Sequence, residues 1–369
     1  MTLYPQLILD TLTRVRYPGT GKDIVSSGMV QDDIRIDGMK VSFSIMFDKP
    51  NDPFKKSVIK AAETAILTYI SEDVEIKDNI KALSKQVIAT KPMSILPNVK
   101  NIIAVFSGKG GVGKSTVSSN LAIALAQLGY KVGLLDADIH GPSIPKMFGV
   151  EDAQPLMEET DGKQKIIPIE KYGIKLLSIG FFVNPEEALV WRGAMASNAL
   201  KQLITDVSWG ELDYFVMDLP PGTGDIHLTL VQTMGITGAV VVTTPQDVAL
   251  ADARKGVNMF HGDKVNVPVL GLIENMSWFT PAELPENKYY LFGKEGGLRL
   301  AKELDVPLLG QIPLVQSIRE GGDAGKPVAV IEGSISALAF KDLAVKVVEQ
   351  TALRNENLAP TQKVEITRQ

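Results

Sequence analysis

The chain of 369 residues contains no cysteine at all. That absence excludes disulfides, thiolate metal sites and cysteine nucleophiles together. Histidine is scarce too, with three copies. There is no run of about 18 apolar residues and no basic-then-apolar leader at the N-terminus, so the sequence predicts neither membrane spanning nor export, and a cytoplasmic protein is expected. An excess of positive charge is also missing. The net charge of −5 offers no electrostatic footprint for nucleic acid and argues against adsorption to an anionic membrane. What is present is ordinary for a globular protein, 45% hydrophobic and 22% charged residues, in a chain long enough for two domains.

The most informative stretch runs Phe106-Ser107-Gly108-Lys109-Gly110-Gly111-Val112-Gly113-Lys114-Ser115-Thr116. It follows an apolar run, Ile102 to Phe106, that reads as a buried strand, and it leads into a helical pattern from Val117 to Leu128. From Gly108 to Ser115 the spacing is G-x-x-x-x-G-K-[ST], in the strand–loop–helix context that a phosphate-binding loop requires. Glycines let the backbone curl until successive N–H groups point at one anion. The helix starting near Gly113 adds its positive dipole end. Lys114 supplies a point charge for the β- and γ-phosphates, Ser115 a hydroxyl for Mg²⁺, and Thr116 a group in reach of the α-phosphate. The expected ligands are ATP and Mg²⁺.

Three further strand ends carry chemistry. Leu134-Leu135-Asp136-Ala137-Asp138 places two carboxylates on one side of an extended backbone. Asp138 is the candidate for activating the attacking water and Asp136 for the metal shell, with capping of the next turn as the alternative. Phe215-Val216-Met217-Asp218 ends in an aspartate suited to Mg²⁺, and the following Pro220-Pro221-Gly222-Thr223-Gly224 reads as a switch loop in which the Gly222 amide senses the γ-phosphate, or as a rigid turn. Glu274-Asn275-Met276-Ser277 ends another apolar run, and the amide of Asn275 has the donor and acceptor needed to pair with an adenine edge. Pro313 is expected to pack on the base.

Periodicity divides the chain into a small α/β domain over residues 1–83, a proline-containing linker over 84–100, a larger domain over 101–353 and a disordered polar tail over 354–369. In the first domain Leu3 to Val15 and Val58 to Ile70 have helical spacing, and Lys40 to Phe47 alternates as a strand. The loop at Tyr17-Pro18-Gly19 receives no chemistry. In the larger domain, strands at Lys131–Leu135, Lys175–Ile179, Tyr214–Met217, Ala239–Thr243, Val269–Ile273 and Leu308–Gln311 alternate with helices. That pattern predicts an α/β fold with a mostly parallel, doubly wound sheet and ligands at the carboxyl ends of its strands.

The form K-G-G-x-G-K-[ST], with Lys109 directly after the first glycine, resembles the deviant Walker A loop of the MinD, ParA, ArsA and Mrp ATPases. The resemblance implies that Lys109 reaches across a homodimer interface to the partner's nucleotide, and so joins Lys114 and Asp138 as a catalytic residue. Together with L-L-D-A-D-I-H-G-P-S-I-P, V-W-R-G at Val190 to Gly193, D-L-P-P-G-T-G-D and E-N-M-S, the loop identifies the Mrp/ApbC branch, whose members are ATP-dependent iron–sulfur cluster carriers. The front portion resembles the iron–sulfur-assembly domain that precedes such ATPases. Partners implied are iron–sulfur scaffold or client proteins.

Members of that branch hold a [4Fe-4S] cluster with a C-x-x-C shortly after E-N-M-S, two subunits pooling four thiolates. This chain has Pro281-Ala282-Glu283-Leu284 there and cannot reproduce the site. Either a partner supplies thiols while the chain supplies ATP-driven switching, or the chain has left cluster work and acts as a MinD/ParA-like switched scaffold. A self-sufficient reductant resembling nitrogenase iron protein is excluded, because its cluster also needs cysteines.

Overall fold

A computed structural model of the chain describes residues 3–47, 52–84, 95–139, 141–160, 162–182, 193–224, 230–231, 234–262, 265–281, 283–284 and 286–359. Two compact units divide between residues 89 and 90.

The first unit has helices α1 (Pro5–Leu12) and α2 (Lys55–Tyr69) and strands β1 (Arg35–Asp37), β2 (Lys40–Phe47) and β3 (Ile80–Ser84). Strand β2 pairs antiparallel with β1 and parallel with β3. Phe43, Ile45 and Phe47 on β2 are buried with Ile8 and Leu12 of α1 and Val58, Ala62 and Ile66 of α2, which is the burial that the apolar spacing of these segments demands. The Tyr17 loop closes on itself, with the Gly21 N–H donating to the Tyr17 carbonyl at 2.8 Å, and the Tyr17 hydroxyl donates to the carboxylate of Asp52.

The second unit is built on an eight-stranded sheet. Its strands are β4 (Val99–Phe106), β5 (Val132–Asp136), β8 (Ile169–Lys171), β9 (Ile174–Ser178), β10 (Leu212–Asp218), β11 (Gly238–Thr243), β12 (Val269–Glu274) and β13 (Leu308–Gln311). They lie in the order β13-β12-β11-β4-β10-β5-β9-β8, all parallel except the β8–β9 pair. A separate hairpin joins β6 (Met157–Thr160) to β7 (Lys163–Ile166).

Each central strand is apolar on both faces, and helices cover both. On one face lie α3 (Lys114–Gln127), α4 (Ile144–Phe148) and α9 (Ile335–Asn357), packed on Ile103, Val105, Val216 and Val240. On the other lie α5 (Gly193–Thr205), α6 (Asp247–His261) and α7 (Gly296–Glu303), packed on Ala104, Phe106, Phe215 and Met217. A further short helix, α8, spans Gln316–Asp323. This is the expected doubly wound α/β sheet. Because β4, β5 and β10 are in register, Asp218 stands level with Asp136 on one side and Val105 on the other, so all their functional ends face one crevice.

Two boundaries differ from expectation. Leu96 is buried against the second core and β4 starts at Val99, so this unit begins before residue 101. At the other end α9 continues to Asn357, and Arg354 is buried with its guanidinium donating to the Ala359 carbonyl at 2.7 Å. Residues 354–357 are therefore helical, not tail. Among the described residues no helix is long and apolar enough to cross a membrane.

Candidate functional site

The glycine loop connects β4 to α3, and its glycines do different things. Gly111 and Gly113 both have φ of 81°, a conformation that side chains with a Cβ rarely adopt. Gly110 and Gly111 are exposed, and a Cβ on either would meet no atom within 4 Å, so the space beside them is free for a phosphate chain. A Cβ on Gly108 would instead lie 2.4 Å from the backbone of Asp252, and one on Gly113 would lie 2.3 Å from the Asn275 amide. These two glycines let α6 and the β12 end press against the loop. Val112 is buried beneath it, and Thr116 is half-buried in the first turn of α3.

Lys114 opens α3 and is 6% exposed. Its Nζ lies 2.9 Å from Asp218 Oδ1 and 3.6 Å from Asp138 Oδ2. The hydroxyl of Ser115 donates to Asp218 Oδ2 at 2.6 Å, and that of Ser118 to Oδ1 at 2.7 Å. Asp218 is wholly buried, so it is held by one ammonium and two hydroxyls where an unpaired carboxylate would be costly. Lysine, serine and the Asp218 carboxylate thus meet at the mouth of the loop.

Asp136, expected in the metal shell, turns its oxygens to the segment after β5 and to Ser178 on β9. Oδ1 accepts from the Asp138 N–H at 3.1 Å, and Oδ2 accepts from the Ile144 N–H at 3.2 Å and the Ser178 hydroxyl at 2.9 Å. It holds the 137–144 segment and so fixes where Asp138 sits. Burial pushes its pKa from the ordinary 3.8 up to about 7, with the Asp218 charge adding to the rise and the three hydrogen bonds opposing it.

The Gly222 amide, expected to sense the γ-phosphate, donates to the Ser107 carbonyl at 2.9 Å, docking the Pro220–Gly224 loop on the residue before the glycine loop. Asn275, expected at an adenine edge, donates its amide N–H₂ to the Val112 carbonyl at 2.8 Å and is buried. Pro313 is buried just past β13. Lys109 is half-buried, and its carbonyl accepts from the Ser107 hydroxyl at 2.9 Å. His140, residues 190–192, Asp225 and Ala282 lie outside the described residues.

Ser118 and Ser178 escape a reading of the sequence. Ser118 lies four residues after Lys114 on the same helical face, a spacing that signals its approach to Asp218. Ser178 reaches Asp136 because β9 and β5 pair in register at those two residues, which becomes visible only once the strand order is known. Among the described residues no group of three or more His, Cys, Asp or Glu side chains could hold a metal ion by itself. A magnesium ion fits these groups only as Mg²⁺ is usually held beside nucleotides, by one carboxylate and one hydroxyl with phosphates and waters completing the shell.

Residues 98–348 match the family described as NUBPL iron-transfer P-loop NTPase, and residues 5–77 match the iron-sulfur cluster assembly protein family. The iron-sulfur cluster carrier protein of Synechocystis sp. is 43% identical over 348 residues, 94% of this chain and 97% of that protein. The iron-sulfur cluster carrier protein of Aquifex aeolicus is 52% identical over 258 residues, 69% of each chain. Among solved structures, the nucleotide-binding protein in complex with ADP from Archaeoglobus fulgidus is 36% identical, with a TM-score of 0.56, and the match covers 66% of this chain and 93% of that one.

Proposed function

Since the chain belongs to the NUBPL iron-transfer P-loop NTPase family, we propose that it binds and hydrolyses ATP, as a homodimer, and uses that cycle in iron–sulfur cluster assembly or transfer in the cytoplasm. One observation carries the nucleotide reading: directly after the open glycine loop, Lys114 and Ser115 meet the carboxylates of Asp138 and Asp218. The relative solved with ADP supports it.

In this reading the amides of Gly108 to Thr116 take the phosphate oxygens, and Lys114 exchanges its Asp218 contact for the β- and γ-phosphates. Ser115 and Asp218 would hold Mg²⁺, which would supply neutralising charge on those oxygens. Asp138 orients the attacking water and draws its proton as the water adds to the γ-phosphorus and the β–γ bridging bond breaks. Asp136 is assigned the support of Asp138 in place of the metal-shell role of its sequence position. Asn275 braces the loop from behind, Pro313 backs the base side, and the Gly222 amide gives up the Ser107 carbonyl when a γ-phosphate is present. Lys109 reaches the nucleotide of the second subunit.

The residues where the family keeps its thiolates do not fit a cluster. Pro281 and Leu284 offer no donor to iron, Glu283 is a hard oxygen ligand, and the chain has no cysteine to replace them. The cluster is therefore cargo whose thiol ligands come from an iron–sulfur scaffold or client, while this chain supplies the nucleotide switch.

Calorimetry of the full chain with ATP and Mg²⁺ should register binding; absence of heat would remove the reading at its base. Lys114→Ala and Asp138→Ala should each lower turnover by about 10²–10³-fold, and hydrolysis at the wild-type rate would refute the assignment. Lys109→Ala should depress dimer-linked hydrolysis while leaving the calorimetric Kd for ATP within a few-fold. A variant that hydrolyses as wild type would sink the cross-subunit role.

A further inference from the structure

Asp218 ends β10 wholly buried, and its carboxylate is held by three donors. Oδ2 accepts from the Ser115 hydroxyl at 2.6 Å, while Oδ1 accepts from the Lys114 ammonium at 2.9 Å and from the Ser118 hydroxyl at 2.7 Å. Among the described residues no fourth donor reaches it. Ser118 lies one turn beyond Lys114 on α3 and is itself wholly buried. A hydroxyl carries one proton, and two acceptors stand near this one, Asp218 Oδ1 and the Lys114 carbonyl at 3.1 Å. The nearer, charged oxygen takes it.

A bound nucleotide competes for two of these donors and not for the third. In the reading above Lys114 moves to the β- and γ-phosphates, and Ser115 turns its hydroxyl to Mg²⁺. Ser118 is closed off from solvent, and both acceptors in its reach belong to the protein. It is then the protein donor that stays on Asp218. The terminal torsion of an aspartate is broad and roughly two-fold, so a carboxylate held at neither oxygen can rotate and lose its aim. A bond at Oδ1 fixes that rotation and keeps Oδ2 turned toward Ser115. It also leaves the buried carboxylate with a hydrogen bond once the ammonium has gone, where an unpaired charge would be costly. Ser119, the next residue and equally buried, has no part in this, since its hydroxyl faces Met147 Sδ at 3.6 Å.

We propose that Ser118 is the positioning residue of Asp218, holding Oδ1 so that Oδ2 stays aimed at the magnesium position when Lys114 and Ser115 transfer to the nucleotide. The inference rests on the nucleotide reading above and deepens it. Ser118 touches neither phosphate nor metal, and acts only through the carboxylate. Its effect therefore belongs to the magnesium-dependent part of ATP binding, while the part supplied by the glycine loop and Lys114 is independent of it.

The test is calorimetry of the full chain with a non-hydrolysable ATP analogue, first in EDTA and then across a series of Mg²⁺ concentrations. Ser118→Ala should bind the analogue in EDTA within twofold of wild type, with an unchanged circular dichroism spectrum. The Mg²⁺ concentration that gives half of the magnesium-dependent tightening should rise at least fivefold. Ser119→Ala should match wild type in both measurements, because general loosening of α3 would move the two serines' variants alike. A Ser118→Ala variant with wild-type magnesium dependence overturns the inference and leaves nucleotide binding standing, and so does a Ser119→Ala variant shifted as far as Ser118→Ala. A wild-type affinity indifferent to magnesium overturns the metal role of Asp218 and this inference together.

Discussion

Around Lys114 a single ammonium is shared by two carboxylates, and a third, Asp136, stands in register beside Asp218 one strand away. Burial raises the pKa of Asp136, and the Asp218 charge beside it adds to the rise. A carboxyl whose folded pKa lies above its unfolded one binds its proton more tightly in the native state. Its contribution to stability is complete below pH ~4 and is lost as pH rises through about 7. Asp23, Asp33, Glu151 and Asp213 are shifted the other way, by hydrogen bonds from Ser26, Ser44, Lys146 and Lys100 respectively, and their contributions are lost only as the solution becomes acidic, below pH ~4. Denaturant melts of the nucleotide-free chain should therefore show stability falling between about pH 5 and 7, at most about 1.4 kcal/mol per pH unit. Asp136→Asn should be less stable throughout, because an amide N–H₂ faces donors from Asp138, Ile144 and Ser178, but it should lose that slope. A slope unchanged in the variant would assign the titration elsewhere.

At the scale of elements, the glycine loop is a junction between β4, α3, α6 and the end of β12, and its glycines separate into those pressed against neighbouring elements and those facing open space. Gly108→Ala would drive a methyl into the Asp252 backbone, which has no flexible side chain to yield, and should cost ~1–3 kcal/mol of stability. Gly110→Ala meets nothing in the protein, so its melting temperature should hold while a methyl occupies the space for phosphate oxygens. ATP affinity should then fall about tenfold or more, equivalent to ~1.4 kcal/mol. Equal effects of the two substitutions on stability would erase the distinction. The sequence spacing announces the loop but treats its glycines alike, because the approach of α6 to Gly108 joins residues far apart in the chain. The same limit governs Asn275. Its position after an apolar strand is legible, whereas its partner, the Val112 carbonyl, depends on β11 and β12 lying beside β4. Strands with continuous apolar runs, such as β11 and β12, announce themselves through burial on both faces. The β6–β7 hairpin and β8 do not, since Met157–Thr160, Lys163–Ile166 and Ile169–Lys171 are short, polar and at an edge.

For the whole molecule, the central question is how a chain without sulfur ligands serves a family defined by iron transfer. Soft iron–sulfur clusters need thiolates, the chain has no cysteine, and among the described residues no group of three or more His, Asp or Glu side chains could hold a metal ion. Anaerobic incubation with iron and sulfide should thus leave the full chain with far less than one cluster per two chains, read by iron content and visible absorbance. The backbone nevertheless keeps a suitable shape at the place concerned. Leu284 N–H donates to the Pro281 carbonyl at 3.1 Å, so positions 281 and 284 close one turn, the geometry in which a C-x-x-C directs both sulfurs to one metal. Leu284 is exposed and Pro281 half-buried, so neither replacement disturbs the core. Pro281→Cys combined with Leu284→Cys should therefore gain iron and cluster absorbance that the parent lacks, with ATP binding unchanged because the glycine loop is untouched. Stoichiometric cluster in the unmodified chain would show that ligands other than thiolates suffice. Failure of the double variant to load would show that loss of the thiols was accompanied by loss of the turn's ability to present them.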